Sequence, residues 1–475
     1  MALFRFPAPG KLSTMRGVVL VGLLFAASVL EAQETPAPAT PRAQRPNVLV
    51  ILVDDLGWGE LGALGREDLE TPSIDGLYDE GTRFGSYYTT SCACSPARAS
   101  LLSGRYPDRV GVQGGIRTKR KQSWGDLADD AVLLPARLRE AGYQTAMVGK
   151  WHLGLREPDL PNARGFESFR GFLGDMMDDY YTHERQGRNF MRDDGEEVEA
   201  KGHATELFTD WACEFLRDRD EERPFFLYLA YNAPHVPIQP PADRLAAYRE
   251  RHPDVAPQRA ALCAMVEHLD ESIGRVLATL EAEGLARDTL VLFASDNGAD
   301  VRAGGRNGGL RGGKATLYEG GVRVPAAVRW PGRASAGGRV DRPVASIDVL
   351  PTLLELAGAE PDAASDGVSW VPLLDAQLAA GTERATEEAS EPRSLFFVYR
   401  AAHLDGGKAI RAVRRGDWKL VQVHPARPLE LYDLARDPAE ANDLARQEPK
   451  RLAELRAAIE EHARASRDVP WRARR

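Results

Sequence analysis

An α/β fold is predicted: a large mixed, mostly parallel sheet sandwiched by helices, with a smaller C-terminal subdomain of antiparallel sheet plus helix. Three features carry this. Unbroken apolar runs recur along the chain, helical patterns lie between them, and the composition changes near residue 376. The first run, NVLVILV from Asn47 to Val53, is β-branched and Leu-rich and stops at Asp54-Asp55. A run without polar alternation marks a strand buried on both faces, as in a parallel sheet. PFFLYLAYNAPH (Pro224 to His235) and TLVLFASDNG (Thr289 to Gly298) repeat the pattern, each closing in polar residues and a turn. Helices are expected over Leu133 to Ala141 and Ala260 to Leu280. In the second, Leu262, Val266, Leu269, Ile273, Val276, Leu277 and Leu280 fall on one face. Strands alternating with helices favour a parallel sheet. After AQLAAGTERATEEASEPR come the short strand-like pieces SLFFVYR, KAIRAVRRGDWKLVQV and LELYDL, then a charged helix from about Pro449 to Ala465. The expected division is a large domain over residues 46–385 and a C-terminal subdomain over residues 386–475.

The N-terminus reads as an address. Arg5, Lys11 and Arg16 precede an uncharged run of 14 residues from Gly17 to Leu30. Spanning a bilayer takes ~20 apolar residues, whereas the core of an export signal takes ~7–15. Residues 1–32 are therefore expected to be a cleaved signal peptide, with Met15 a second candidate start. Residues 33–45 form a Pro/Ala-rich linker. The expected location is periplasmic or secreted. With 61 basic and 70 acidic residues, the net charge of -9 argues against a nucleic-acid partner. Export permits disulfides, but four cysteines in 475 residues make no dense framework. Cys213 and Cys263 fall in helical patterns as small buried hydrophobes. A Cys92–Cys94 bridge would close a ring too tight for the usual Cα separation of ~4.4–6.8 Å.

Ligands of open α/β sheets bind at the carboxyl ends of strands. Those ends deliver Asp54-Asp55, His235 and Asp296-Asn297. Either acidic pair alone is an ordinary turn or helix cap. Together, after separate buried strands, they repel unless a cation lies between them, and their all-oxygen donors suit Ca²⁺ or Mg²⁺. In GKWHLG, period-2 spacing is expected to put Lys150 and His152 on one face of an extended segment. Glycines surround Lys314, which lets a loop bring its ammonium near a ligand. With Arg98 these residues make a set that clamps a tetrahedral oxyanion. The residues thus point to metal-assisted transfer at an oxyanion, with Cys94 central and the part played by its sulfur open.

Cys94-Ser95-Pro96-Ala97-Arg98 followed by Leu101-Leu102-Ser103-Gly104-Arg105 resembles the sulfatase signature. VDDLGWGELG, GKWHLG, YYTHE, APH, SDNG and LRGGKATLYEGGVRVP resemble further sulfatase blocks, in the family's order, from Pro46 to Pro331. RRGDWKLV and LELYDLARDPAEANDLA resemble the family's C-terminal piece. The resemblance implies that Cys94 is oxidised to formylglycine by a formylglycine-generating enzyme during export. It further implies that Asp54, Asp55, Asp296 and Asn297, with residue 94, ligate Ca²⁺ (Mg²⁺ the alternative). Arg98 and Lys150 would hold the formylglycine, and His152 would take the proton of its geminal diol. His235 and Lys314 would bind sulfate and protonate the leaving alcohol. Thr182 stands where relatives often carry Ser, and His183 receives no role. The implied reaction is hydrolysis of a sulfate ester, on sulfated carbohydrate or aryl sulfate. Two alternatives are a formylglycine-dependent phosphodiester or phosphonate monoester hydrolase and a non-catalytic sulfated-glycan-binding homologue. The second predicts a lost metal or nucleophile position, and none is missing.

Overall fold

In chain order the first strands are β1 (Asn47–Val53), β2 (Thr82–Phe84), β3 (Tyr87–Tyr88), β4 (Gln144–Lys150) and β5 (Ser168–Phe172). Then come β6 (Met191–Asp193), β7 (Glu196–Glu197), β8 (Phe225–Ala230), β9 (Thr289–Ser295), β10 (Ala326–Arg329), β11 (Gly338–Val340) and β12 (Val344–Ala345). The last four are β13 (Ser394–Tyr399), β14 (Ile410–Arg415), β15 (Trp418–Val421) and β16 (Glu430–Asp433). The helices are α1 (Pro72–Glu80), α2 (Cys94–Ser103), α3 (Leu134–Glu140), α4 (Ala204–Asp218) and α5 (Ala242–Arg251). They continue with α6 (Pro257–Ala282), the single turn α7 (Glu319–Val322), α8 (Val349–Ala357), α9 (Val371–Ala380) and α10 (Pro449–Ala465). This computed structural model describes residues 45–381, 392–404, 406–466 and 469. The expected signal peptide, nearly all of the linker and the boundary expected at 385/386 lie outside the described residues.

Ten strands form the main sheet, in the order β11-β2-β10-β9-β1-β8-β4-β5-β6-β7. The centre, β9-β1-β8-β4-β5, is parallel, and β10, β6 and β7 pair antiparallel with their neighbours. Every residue of β1 from Val48 to Val53 is buried, which is why the run carries no polar alternation. Helices α1, α4 and α5 each pack on α6, whereas α2, α3 and α8 make a second group. Helix α6 opens with Pro257 at its first position and buries Leu262, Val266, Leu269, Ile273, Val276 and Leu280. Leu277, expected on that face, is only partly buried. No helix among the described residues is long and apolar enough to cross a membrane.

The antiparallel sheet β13-β14-β15-β16 is two-sided. Gly416, at φ 59°, supplies the positive backbone angle of the two-residue turn between β14 and β15. Val413, Leu420 and Leu431 pack with Leu455 of α10, while Phe397, Ile410, Ala412 and Tyr432 pack with Tyr88, Leu317 and Val322 of the main body. That alternation of faces is the period-2 signature of a short antiparallel strand. All four cysteines are free and buried, and Cys213 and Cys263 lie inside α4 and α6.

Candidate active site

Register brings the polar strand ends level. Leu52 pairs with Ala230, Val53 with Ser295, and Gly149 with Ala230. The next residues, Asp54, Lys150 and Asp296, therefore emerge at one edge. Cys94 is the first residue of α2 and Arg98 stands one helical turn on, so the signature spacing puts both on one face. Gly298, closing the SDNG turn, has a packing reason: a Cβ there would lie 1.8 Å from the Gly320 carbonyl oxygen. That close approach draws in the loop that carries Lys314.

Every residue of the predicted set except His152 makes a direct contact with another here. Cys94 Sγ lies 3.2 Å from Asp54 Oδ1 and 3.5 Å from Lys314 Nζ. Lys314 Nζ is 2.7 Å from Asp55, and Lys150 Nζ donates to Asp54 Oδ2. Arg98 donates through Nε to Asp296 Oδ2 (2.9 Å) and through Nη1 to the Lys150 carbonyl, and its Nη2 stands 2.9 Å from Asp296 Oδ2 as an ion pair. Asn297 Nδ2 donates to Asp55 Oδ1 at 2.7 Å. His235 turns Nε2 toward Asp55 Oδ2 at 3.7 Å and pairs Nδ1 with the Val236 carbonyl. Lys314 is the most open of the set, its side chain 16% exposed. Three carboxylates, Asp54, Asp55 and Asp296, face three cations, Arg98, Lys150 and Lys314, which offsets the cost of burying each charge.

His152 departs from the expected geometry. β4 ends at Lys150, and His152 lies beyond it at φ 60°, so the pair does not share a strand face. The turn redirects the imidazole to the carbonyl of Ile116, 2.9 Å from Nε2. That pairing makes Nε2 the donor and leaves Nδ1 a lone-pair acceptor, buried without a partner among the described residues. Burial and the charges of Lys150 and Arg98 hold the ring well below the usual histidine range, in its neutral form. Asp54 is pushed up by burial, but Lys150, His235 and Arg98 outweigh this and hold it well below the usual carboxylate range. Burial and Asp54 push Asp296 up to about 7 and the Cys94 thiol well above its ordinary value.

Among the described residues, Asp54, Asp55, Cys94 and His235 can bring one ligand atom each within 4.8 Å of one another. Asn297 Oδ1 is buried beside them with no hydrogen-bond donor among the described residues. A buried amide oxygen without a donor, next to crowded carboxylates, fits a hard divalent cation. Asp296 joins from the side, its Oδ1 accepting from the Asp55 N–H at 3.2 Å.

The sequence reading missed Ile116, which acts only through its carbonyl and so leaves no residue-type signal. It also missed Tyr399 at the end of β13, whose environment includes Lys314 and Cys94. The unassigned His183 is buried with Nε2 on the Gly202 carbonyl, and Thr182 is exposed, its backbone N–H donating to Asp179 Oδ1 in a local turn.

A carboxylate cluster ringed by fixed cations, at the carboxyl edge of a parallel sheet, defines a protein that holds and transfers an oxyanion. Comparison with known proteins names the oxyanion. Residues 46–359 match the family model described as Sulfatase, and residues 313–468 match the one described as N-sulphoglucosamine sulphohydrolase, C-terminal. N-acetylgalactosamine-6-sulfatase of Canis lupus familiaris is 36% identical over 416 residues, 82% of this chain and 74% of that protein. Steryl-sulfatase of Mus musculus is 32% identical, covering 91% of this chain and 84% of its own length. The solved structure of Ps i-CgsB in complex with k-i-k-neocarrahexaose superposes with a TM-score of 0.80 at 30% identity, covering 90% of this chain and 94% of that one. The chain belongs to the sulfatase family, and it is a sulfuric ester hydrolase.

Proposed function

We propose that the protein removes sulfate from sulfated carbohydrate outside the cytoplasm, using a formylglycine made from Cys94 and a bound Ca²⁺, with Mg²⁺ the alternative ion. The observation that carries this is the meeting of Asp54, Asp55, Cys94 and His235, with Asn297 bonded to Asp55 and its Oδ1 without a donor, and with Lys150, Lys314 and Arg98 fixed beside them. The names of the relatives, a sulfatase of N-acetylgalactosamine and a structure holding neocarrahexaose, support a sugar substrate.

Asp54, Asp55, Asp296 and Asn297 would hold the cation, which supplies charge neutralisation at the sulfate oxygens, while the hydrated formyl group at position 94 supplies the nucleophilic hydroxyl. The chain's own groups do the rest. Lys314, beside residue 94 and partly open, binds a sulfate oxygen as negative charge builds. Arg98 fixes Asp296, and Lys150 fixes Asp54, so the acidic residues keep their places when substrate enters. His152, neutral and donating from Nε2, offers Nδ1 as the base that takes a proton at position 94. His235, with Nδ1–H held by a carbonyl, presents Nε2, which in the protonated ring gives its proton to the departing alcohol.

Mass spectrometry of the peptide around position 94, from protein made alongside a formylglycine-generating enzyme, should show sulfur exchanged for oxygen and two hydrogens lost. The same protein should release sulfate from sulfated N-acetylgalactosamine and should turn over nitrophenyl sulfate faster than a nitrophenyl phosphodiester. Sulfate release by protein carrying an intact Cys94 thiol, or a preference for the phosphodiester, overturns the reading.

A further inference from the structure

A second cationic feature lies on the face of the C-terminal sheet that turns away from the main body. A groove of about 620 Å³ runs between that face and α10, within the ~300–1,000 Å³ that small-ligand sites occupy. Arg411, Arg427, Arg446 and Arg456 line it, and Glu460 is the one carboxylate in the lining. Glu460 is already engaged by Arg456 Nε at 2.8 Å. Arg411, Arg427 and Arg446 have no ion-pair partner among the described residues.

Arg411 is the telling member. On β14 it alternates with Ile410 and Ala412, which pack toward the main body, and so it shares a face with Val413, which packs against Leu455 of α10. Its Nε is buried without a hydrogen-bond partner. The opposing charge that acts on it, Asp108, accepts through Oδ1 from His462 at 3.1 Å and makes no ion pair with Arg411. An arginine keeps its charge under these conditions, so a half-buried guanidinium facing a groove is costly until an anion comes to it. The chain as a whole carries -9 and repels polyanions at long range, so any anion bound here is held by these side chains.

We propose that this groove is an anion-binding site separate from the catalytic cluster, which grips sulfate groups along a sulfated glycan chain. Planar guanidinium forks match the oxygens of a sulfate as they match those of a phosphate. The lining has no aromatic ring on which a nucleic-acid base could stack, which favours a glycan over single-stranded nucleic acid. For the identity of the ligand, the proposal rests on the carbohydrate reading above.

The test uses the full chain with Cys94→Ala, which binds without turnover, and dextran sulfate as probe. Adding Arg427→Ser with Arg446→Ser should weaken binding about tenfold or more and flatten its salt dependence by roughly 0.7 per lost contact. In the unsubstituted background the same pair should leave nitrophenyl sulfate turnover unchanged. Arg411→Met added to the pair should weaken binding further. No binding of dextran sulfate by the parent, or equal binding by parent and pair, overturns the proposal. So does polyuridylate that binds as tightly as dextran sulfate and is lost with the same pair. If no sugar sulfate is ever hydrolysed but dextran sulfate binding falls as expected, the carbohydrate-hydrolysis reading fails and the groove stands.

Discussion

Asp55, His152 and Ala315 hold backbone φ angles of 67°, 60° and 67°, in the left-handed region that side-chain-bearing residues rarely enter. Each costs about 1–2 kcal/mol. All three lie in the cluster or beside it: Asp55 faces Lys314, His152 turns to Ile116, and Ala315 follows Lys314 with its N–H on the Cys92 carbonyl. Three of the seven non-glycine residues with positive φ among the described residues thus sit where side chains must be aimed. The most exacting single position is 94. A serine there has one hydroxyl where the proposed hydrated aldehyde would have two. Cys94→Ser is therefore expected to accept sulfate from the substrate once and then stall, with steady turnover down by roughly 10³-fold or more. Rapid-quench measurement of the released alcohol should show at most one equivalent per enzyme, and sustained turnover would refute the two-hydroxyl mechanism.

Between elements, the tie of α6 to α1 shows how the helical layer is held. Asp270, inside α6, accepts from the Ser73 and Ile74 N–H groups at 3.0 and 2.8 Å, capping α1 across 196 positions of sequence. Asp270→Ala leaves both donors without their partner and should cost about 1–2 kcal/mol, read as a lower urea midpoint with unchanged far-UV dichroism at rest. This contact was invisible in the sequence, because an aspartate in a helix interior reads as an ordinary polar position. The strands were legible for the opposite reason: NVLVILV, FFLYLA and TLVLFAS are buried on both faces, so composition alone announces them. Legible, too, were the site residues that end strands or occupy a fixed motif, such as Asp54, Asp296, Cys94 and Arg98. His152 was found by type but misplaced in geometry, since a period-2 argument holds only while the strand continues. Ile116 was beyond reach because any residue supplies a carbonyl.

Across the whole molecule, the C-terminal sheet is joined to the main body by buried charge. Lys419 of β15 places Nζ 2.9 Å from Glu319 of α7 and 3.0 Å from Glu440, and all three side chains are essentially inaccessible. Glu319 begins the turn that follows the Lys314 loop, so the C-terminal sheet helps to support the site. Lys419→Met leaves two carboxylates facing each other and should cost about 3–5 kcal/mol. Adding Glu440→Gln removes one of those charges and should recover part of the loss in the same denaturation assay. Part of the acid sensitivity arises in the helical layer. His268 of α6 is buried against the His203 ring at 4.9 Å, and its Nδ1 has no partner among the described residues. Burial, then His203 and Arg244, hold it down at about 3. Glu206, 3.3 Å from Nε2, is half exposed and screened by water. The folded protein therefore keeps His268 neutral at pH values where the unfolded chain, near 6.5, takes up a proton. Its contribution is complete above pH 6.5 and is lost as pH falls from 6.5 toward 3. By pH 5 the loss should reach about 2 kcal/mol at ~1.4 kcal/mol per pH unit. Urea denaturation of the wild type and His268→Gln at pH 7 and pH 5 should show a smaller drop for the variant, and equal drops would place the acid sensitivity in other groups.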